Sequence, residues 1–252
     1  MRLPSRPGDG PGQRLDPSGR YDGIVNLHLA QRIAAVITAI ATPCVIIGAA
    51  VLLFLNPVWI GFEQDRSDVA RITGYTPAEV HDVTGSILSD LVFGPPNFAA
   101  TVNGAAVLDA RERSHMVDVR TVIMTLGLVA LVATVLLVAI GLASRGRRWF
   151  WRAVGTGGSV LVGGVIVVGI AFALFFDQAF ELFHEVFFPP GTYMFDPRTE
   201  RLVQLFPDQF WSETTVAIAL AVLLLALGVV LGARRLGREP AESPTAAGEA
   251  QS

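Results

Sequence analysis

Four apolar runs divide this chain, and each is long enough to cross a lipid bilayer. The runs cover residues 33–55, 122–143, 153–176 and 214–233, and none of them contains a charged residue. A helix rises about 1.5 Å per residue, so a hydrocarbon core of about 30 Å needs about 20 residues. The pattern therefore predicts an all-α membrane protein with four transmembrane helices.

The polar remainder forms two tails and two loops. Residues 1–26 and 237–252 are rich in Pro, Gly, Ala and charged residues and have no hydrophobic period, so we expect disordered tails. Residues 27–236 then form the membrane domain. Loops 56–120 and 177–213 lie on the same side of the four spans, where we expect them to build a small α/β cap.

Arginine placement predicts which side faces the cytoplasm. Arginines crowd the link between the second and third runs, follow the fourth run and precede the first: Arg145, Arg147, Arg148, Arg152, Arg234, Arg235, Arg238 and Arg32. By the positive-inside rule these ends are cytoplasmic. Both termini are then cytoplasmic, and the two long loops are extracytoplasmic.

Composition supports the membrane assignment and excludes some chemistry. The chain is 52% hydrophobic and 16% charged, which is too apolar for a soluble domain of this size. All 19 basic residues are arginines, so Schiff-base and P-loop lysine chemistry is excluded. Cys44 is the single cysteine, so no intramolecular disulfide is possible.

Both loops contain local structural signals. Thr76-Pro77-Ala78-Glu79 is a capping box followed by apolar positions at helical spacing, which predicts a helix to about Leu91. In the second loop, a turn at residues 196–199 separates two short apolar segments, 192–195 and 201–205. This pattern favours a β-hairpin.

Two of the four histidines lie at the predicted extracytoplasmic boundary. His115 precedes the second apolar run and His184 follows the third, and a short link joins those two runs. We therefore expect the outer ends of these helices to be neighbours and the two rings to lie within about 10 Å, as shared proton transfer requires. His28 and His81 are expected to be surface residues.

A glutamate stands three positions before each boundary histidine. Glu112 and Glu181 would share a helix face with His115 and His184, where a carboxylate orients an imidazole. Glu-x-x-His is also half of a di-iron site. The four runs supply no further carboxylates, so we expect no metal; ordinary interfacial histidines are the simplest alternative.

Together these residues form a recognisable pattern. Its parts are Glu112-x-x-His115-Met116-x-Asp118-Val119, then Phe183-His184-x-x-Phe187-Phe188-x-x-Gly191-x-Tyr193-x-Phe195, and finally Leu205-Phe206-Pro207-x-x-Phe210-Trp211. Over residues 30–235 the chain resembles the bacterial lipoprotein intramolecular transacylase (Lit) family, although many members have tryptophan where Tyr193 stands.

The resemblance implies an acyltransferase of a particular kind. The acyl chain on the sn-2 oxygen of a diacylglyceryl-modified lipoprotein would move to the amine of its N-terminal cysteine, giving a lyso-form lipoprotein. His115 and His184 would be catalytic. The expected partners are these lipoproteins and the phospholipid bilayer, with no cofactor and no nucleic acid.

Such a transfer needs a base, an acid and stabilisation of a tetrahedral oxyanion. The candidates for orienting the histidines or stabilising the oxyanion are Glu112, Asp118, Glu181, Arg111, Arg113 and Arg120. The candidates for an acyl pocket are Phe180, Phe183, Phe187, Phe188, Tyr193 and Trp211. Two other functions stay open at this stage: a non-catalytic membrane protein with a binding or chaperone domain, and a metal-dependent membrane enzyme.

Overall fold

A computed structural model describes residues 17–238, with side chains from residue 28 onward. Its helices and strands, in chain order, are α1 (Pro17–Phe54), α2 (Pro57–Arg66), α3 (Val69–Thr73), α4 (Pro77–Val92), β1 (Thr101–Val102), β2 (Ala105–Ala106), α5 (Ala110–Ala143), α6 (Arg148–Leu174), α7 (Phe176–Phe187), α8 (Arg201–Leu205) and α9 (Asp208–Leu236). The fold is mostly helical, as predicted.

Within residues 17–238, four helices are long and apolar enough to cross a membrane, which confirms the four predicted spans. They are α1 from His28 onward, α5, α6 and α9. Helix α1 already begins at Pro17, so it extends into the stretch for which the sequence predicts a disordered tail. The rest of that tail, residues 1–16, lies outside the described residues, as do residues 239–252 of the second tail.

Helix α1 is the central helix of the membrane bundle. It packs against α5, α6 and α9, and α6 also packs against α9. Gly157 and Gly158 make the close approach possible: an added Cβ would lie 2.3 Å from the Ala39 carbonyl oxygen at the first and 2.8 Å from Val230 at the second. Small residues therefore set the spacing of these helices, as is usual where lipid supplies no hydrophobic drive for association.

The cap has a hydrophobic core of its own, built by α2, α3, α4, α8, the segment between α4 and α5, the first two turns of α5 and the first turn of α9. Val69, Val80, Phe98, Leu108 and Leu205 are among its most deeply buried residues. The predicted capping box begins α4, with the Thr76 hydroxyl accepting from Glu79 N–H and the Glu79 carboxylate accepting from Thr76 N–H. The sheet is a single small antiparallel pair, β1–β2.

The hairpin predicted in the second loop is wrong. The turn itself is present, since the Asp196 carbonyl accepts from the N–H groups of Thr199 and Glu200. The chain then enters helix α8 instead of a strand. Leu202 and Leu205 are three residues apart, so one helical turn buries both in the cap core, which strand alternation would not do.

Candidate active site

His115 and His184 lie side by side. Their ring centroids are 6.3 Å apart and the ring planes differ by 24°. His115 sits at the end of the second turn of α5 and His184 near the end of α7. The predicted proximity of the two rings is confirmed, although 69 residues separate them in sequence.

The route by which they meet differs from the prediction. Helices α5 and α6 contact each other near their connecting turn, where Phe150 packs against Ile140, but they are not closely packed partners along their length. The chain breaks at Phe175, with φ −138° and ψ 49°, and restarts as the separate helix α7. Thus α7, and not the end of the third span, brings His184 to His115.

His115 is buried, and aromatic rings surround it. Phe188 lies 4.8 Å and Phe195 5.4 Å from the His115 ring, centroid to centroid. Its Nδ1 is buried, and none of the described residues forms a hydrogen bond with it. Because a buried polar atom normally has a partner, this nitrogen is available to bind one.

His184 has a defined polar partner. Its Nδ1 lies 2.7 Å from the Phe180 carbonyl oxygen, four residues earlier on α7. A carbonyl accepts only, so Nδ1 carries the hydrogen and donates it. In neutral His184 the Nε2 atom therefore holds the free lone pair, and this side of the ring suits proton acceptance.

Most of the candidate acyl-pocket residues gather around His184. Phe180, Phe183, Phe188 and Tyr193 lie 4.3, 5.3, 5.4 and 5.1 Å from its ring. The other two extend the cluster: Trp211 contacts Phe180 at 6.2 Å, and the half-exposed Phe187 contacts Phe183 at 4.9 Å. These six side chains form one cluster, which we call the aromatic wall. Its role in holding an acyl chain stays a prediction.

A groove lies away from the two histidines. It has a volume of about 360 Å³, runs along α5 and is lined by Pro96, Val117, Arg120, Thr121, Met124, Thr125 and Leu128. Neither His115 nor His184 lines it, nor does any acyl-pocket candidate, so it does not correspond to the predicted acyl pocket.

The orienting role predicted for Glu112 is not supported. One Glu112 oxygen accepts from Asp109 N–H at 2.7 Å, and the other accepts from Leu202 N–H at 2.7 Å. The side chain thus completes the capping box at the start of α5 and also binds the second residue of α8. Glu181 is exposed on α7, whereas Asp118 lies one turn after His115, where its charge acts on the ring.

The arginine candidates contact the cap rather than the histidines. Arg111 bonds the Met194 carbonyl and the Glu200 carboxylate, Arg113 the Asp109 carbonyl, and Arg120 the Asp90 carbonyl. These contacts give no support to an arginine in the oxyanion site. Among the described residues there is also no group of three or more His, Cys, Asp or Glu that could hold a metal ion.

Sequence reasoning missed two features of the site. Asp109-x-x-Glu112 has capping-box spacing and could have been found, since it marks the start of α5 twelve residues before the apolar run. Phe195 belongs to the quoted motif, but no sequence signal places its ring on His115.

Comparison with known proteins identifies the family of this chain. The family model described as lipoprotein intramolecular transacylase Lit matches residues 36–211, which is well over half of the chain. The chain belongs to the Lit family. A search of curated proteins returns no match.

Solved structures show the same fold. The Lit protein of Bacillus cereus aligns with a TM-score of 0.73 at 20% identity, over 83% of this chain and 96% of that one. A variant of the same protein with a histidine-to-arginine substitution aligns with a TM-score of 0.70, over 86% and 96%. At this identity the likeness shows the fold, and the family assignment rests on the sequence match.

Proposed function

We propose that this protein moves the sn-2 acyl chain of a diacylglyceryl-modified lipoprotein to the amine of its N-terminal cysteine and releases a lyso-form lipoprotein. The observation that carries the proposal is the pair of stacked imidazoles, 6.3 Å apart within an aromatic wall. Membership of a transacylase family supports the reaction class. The proposal adds the position of the transferred chain, the product and the roles of the two histidines.

The reaction is an ester-to-amide exchange within one substrate. The amine nitrogen attacks the ester carbonyl, the new C–N bond forms, the C–O bond to the glyceryl oxygen breaks, and the proton lost by nitrogen balances the proton gained by oxygen. No enzyme nucleophile or cofactor enters this balance. Because nucleophile and ester are already tethered, holding them in contact lowers the barrier by up to roughly 7–11 kcal/mol.

The two imidazoles suit different steps. His184 Nε2 accepts the proton from the amine, since Nδ1 is held by the Phe180 carbonyl. His115 Nδ1, which has no partner among the described residues, is free to donate a hydrogen bond to the glyceryl oxygen as negative charge develops there and to deliver its proton as the C–O bond breaks. The proton that His184 took from the amine then passes to His115, which returns both imidazoles to their starting state. Because the ring centroids are 6.3 Å apart, one ester and its tethered amine can contact both imidazoles at their edges.

The aromatic wall supplies the surroundings for this chemistry. Phe180, Phe183 and Tyr193 are apolar neighbours for an acyl chain entering from the bilayer. Phe188 is buried against both histidines and keeps water from them. Excluding water strengthens the electrostatic interactions of the site and prevents hydrolysis of the ester.

The same proposal fixes the orientation in the membrane. The substrate's acyl chains lie in the outer leaflet, so the cap and both histidines face outward and both termini face the cytoplasm. A reporter fused after Arg148 or Arg238 should be active in the cytoplasm alone, and one inserted near Gly104 outside alone. The inverse pattern would remove the lipoprotein substrate from reach of the site.

The proposal is tested with a synthetic lipopeptide whose sn-2 acyl chain is deuterated. Purified protein in lipid nanodiscs should yield a product with the deuterated chain on the cysteine nitrogen and a free sn-2 hydroxyl, detected by mass spectrometry. An unlabelled N-acyl chain would mean that phospholipid is the donor. An unchanged lipopeptide would contradict the proposal and favour the non-catalytic binding or chaperone reading.

A further inference from the structure

Among the residues that the structure describes, no polar group orients the His115 ring. Its Nδ1 lacks a hydrogen-bond partner among the described residues, and both oxygens of Glu112 are used elsewhere. An imidazole that moves a proton must nevertheless keep a fixed direction, because an error of about 1 Å in position costs about 100-fold in rate. Some other contact has to hold this ring.

The contacts that remain are aromatic. Phe195 meets the His115 ring edge to face, with the centroids 5.4 Å apart and the planes at 63°. This is the arrangement that the charge distribution of aromatic rings favours. Phe195 comes from an irregular segment between α7 and α8, so its own position depends on what anchors that segment.

Arg111 is the anchor. Its guanidinium carbon lies 4.8 Å from the Phe195 centroid, over the ring. One of its terminal nitrogens donates to the Met194 carbonyl oxygen at 3.0 Å, and the other binds the Glu200 carboxylate. A single side chain therefore contacts the residue before Phe195, the ring of Phe195 itself, and the residue that precedes α8.

The register of α5 aligns this anchor with the histidine. Arg111 and His115 are four residues apart, so they lie on one face of the helix, one turn from each other. Glu200 completes the loop, because its second oxygen accepts from Asp196 N–H. Arg111 therefore binds the 194–200 segment from the same face of α5 that carries His115.

We infer that Arg111 and Phe195 are positioning residues for His115: Arg111 fixes the segment, and the Phe195 ring fixes the imidazole. This inference rests on the proposed function and replaces the expectation that Arg111 stabilises the oxyanion. The guanidinium serves catalysis through Phe195, without contact with the substrate.

The first test measures kcat and KM of Arg111→Gln with the lipopeptide substrate. We expect kcat to fall about 10- to 100-fold, with KM changed by less than about twofold, because substrate contacts stay in place. Arg111→Lys keeps the cation over the ring and should recover part of the loss. Arg198→Gln is the matched control: Arg198 lies in the same segment and pairs with Asp196 but has no contact with Phe195, so its kcat should equal that of the wild type.

A double-mutant cycle tests whether Arg111 acts through Phe195. Phe195→Leu should lower kcat by a similar factor, and the double variant should be no slower than the slower single variant, since both changes release the same ring. Losses that multiply would overturn the inference. So would full kcat in Arg111→Gln, or a loss that Arg111→Lys does not relieve and that accompanies a lower unfolding temperature.

These results are distinguishable from failure of the proposed function. If the wild-type protein does not convert the lipopeptide, the proposed function fails, and the double-mutant cycle has no wild-type kcat for comparison. In that event, the rate at which diethylpyrocarbonate modifies His115 still tests the positioning. It should rise in Arg111→Gln and Phe195→Leu and stay at the wild-type value in Arg198→Gln; equal rates in all four proteins would overturn the inference.

Discussion

The protein contains the spacing Glu-x-x-His twice at the same site, and the two copies differ in almost every physical respect. Glu112 is 2% exposed and both of its oxygens accept backbone N–H groups. Glu181 is exposed on α7, a helix in which no residue is buried. His115 accordingly lies near the N-terminus of α5, which Glu112 fixes in the cap core. His184 lies on α7, which aromatic contacts hold in place.

The difference shows that spacing alone does not define a role. One glutamate is structural and joins α5 to α8, which lies 90 residues further along the chain. The other, Glu181, has no hydrogen-bond or ion-pair partner among the described residues. Because no residue of α7 is buried, we expect α7 to open more readily than the part of α5 that carries His115.

The largest expected contrast is between the two glutamates. Glu112→Ala leaves the N–H groups of Asp109 and Leu202 without their acceptors, at about 1–3 kcal/mol each, so we expect the free energy of unfolding to fall by about 4 kcal/mol. Glu181→Ala should change it by less than about 0.5 kcal/mol, as is usual for exposed positions. Thermal denaturation of purified variants measures both.

Glu112→Gln is the control for shape. Glutamine retains one acceptor oxygen in the same place, so it should restore about half of the loss. Equal effects of Glu112→Ala and Glu181→Ala would contradict the structural difference between the two copies.

A smaller contrast is expected between two adjacent phenylalanines at the end of α7. Phe188 is 6% exposed and contacts both histidines, whereas Phe187 is 51% exposed. Phe188→Ala should lower the free energy of unfolding by about 3 kcal/mol, since it leaves a cavity beside both imidazoles. Phe187→Ala should cost less than about 1 kcal/mol. Similar losses would mean that the end of α7 is packed equally on both sides.

Amide hydrogen exchange sharpens the comparison without any substitution. Amides in α7 should exchange about 100-fold faster than those of the second and third turns of α5, because α7 opens without exposing a buried core. Exchange at equal rates in the two helices would remove the argument that α7 is the moving part.

Much of this fold could be predicted from the sequence because its signals are local. The four apolar runs determine the spans, and the Thr76 capping box marks the start of α4 within its own four residues. The two histidines could be paired because apolar runs bring their ends to the same boundary. Each of these inferences needs only the chain on either side of the feature.

The features that were missed depend on distant parts of the chain. The break at Phe175 has no proline or glycine to mark it, so the third apolar run reads as continuous into α7. The five residues of α8 suit a strand or a helix equally by pattern, and the cap core decides between them. Glu112 has a partner in Leu202 that no local spacing reveals.

The central claim is that two imidazoles from these unlike surroundings share one acyl transfer, and it is tested most directly by replacing each in turn. Membranes carrying the wild-type protein, His115→Ala or His184→Ala are supplied with the lipopeptide bearing a deuterated sn-2 chain, and the products are analysed by mass spectrometry. We predict lyso-form product with the wild type and none with either variant, while both variants stay inserted and folded. Full conversion by either variant would contradict the two-histidine account.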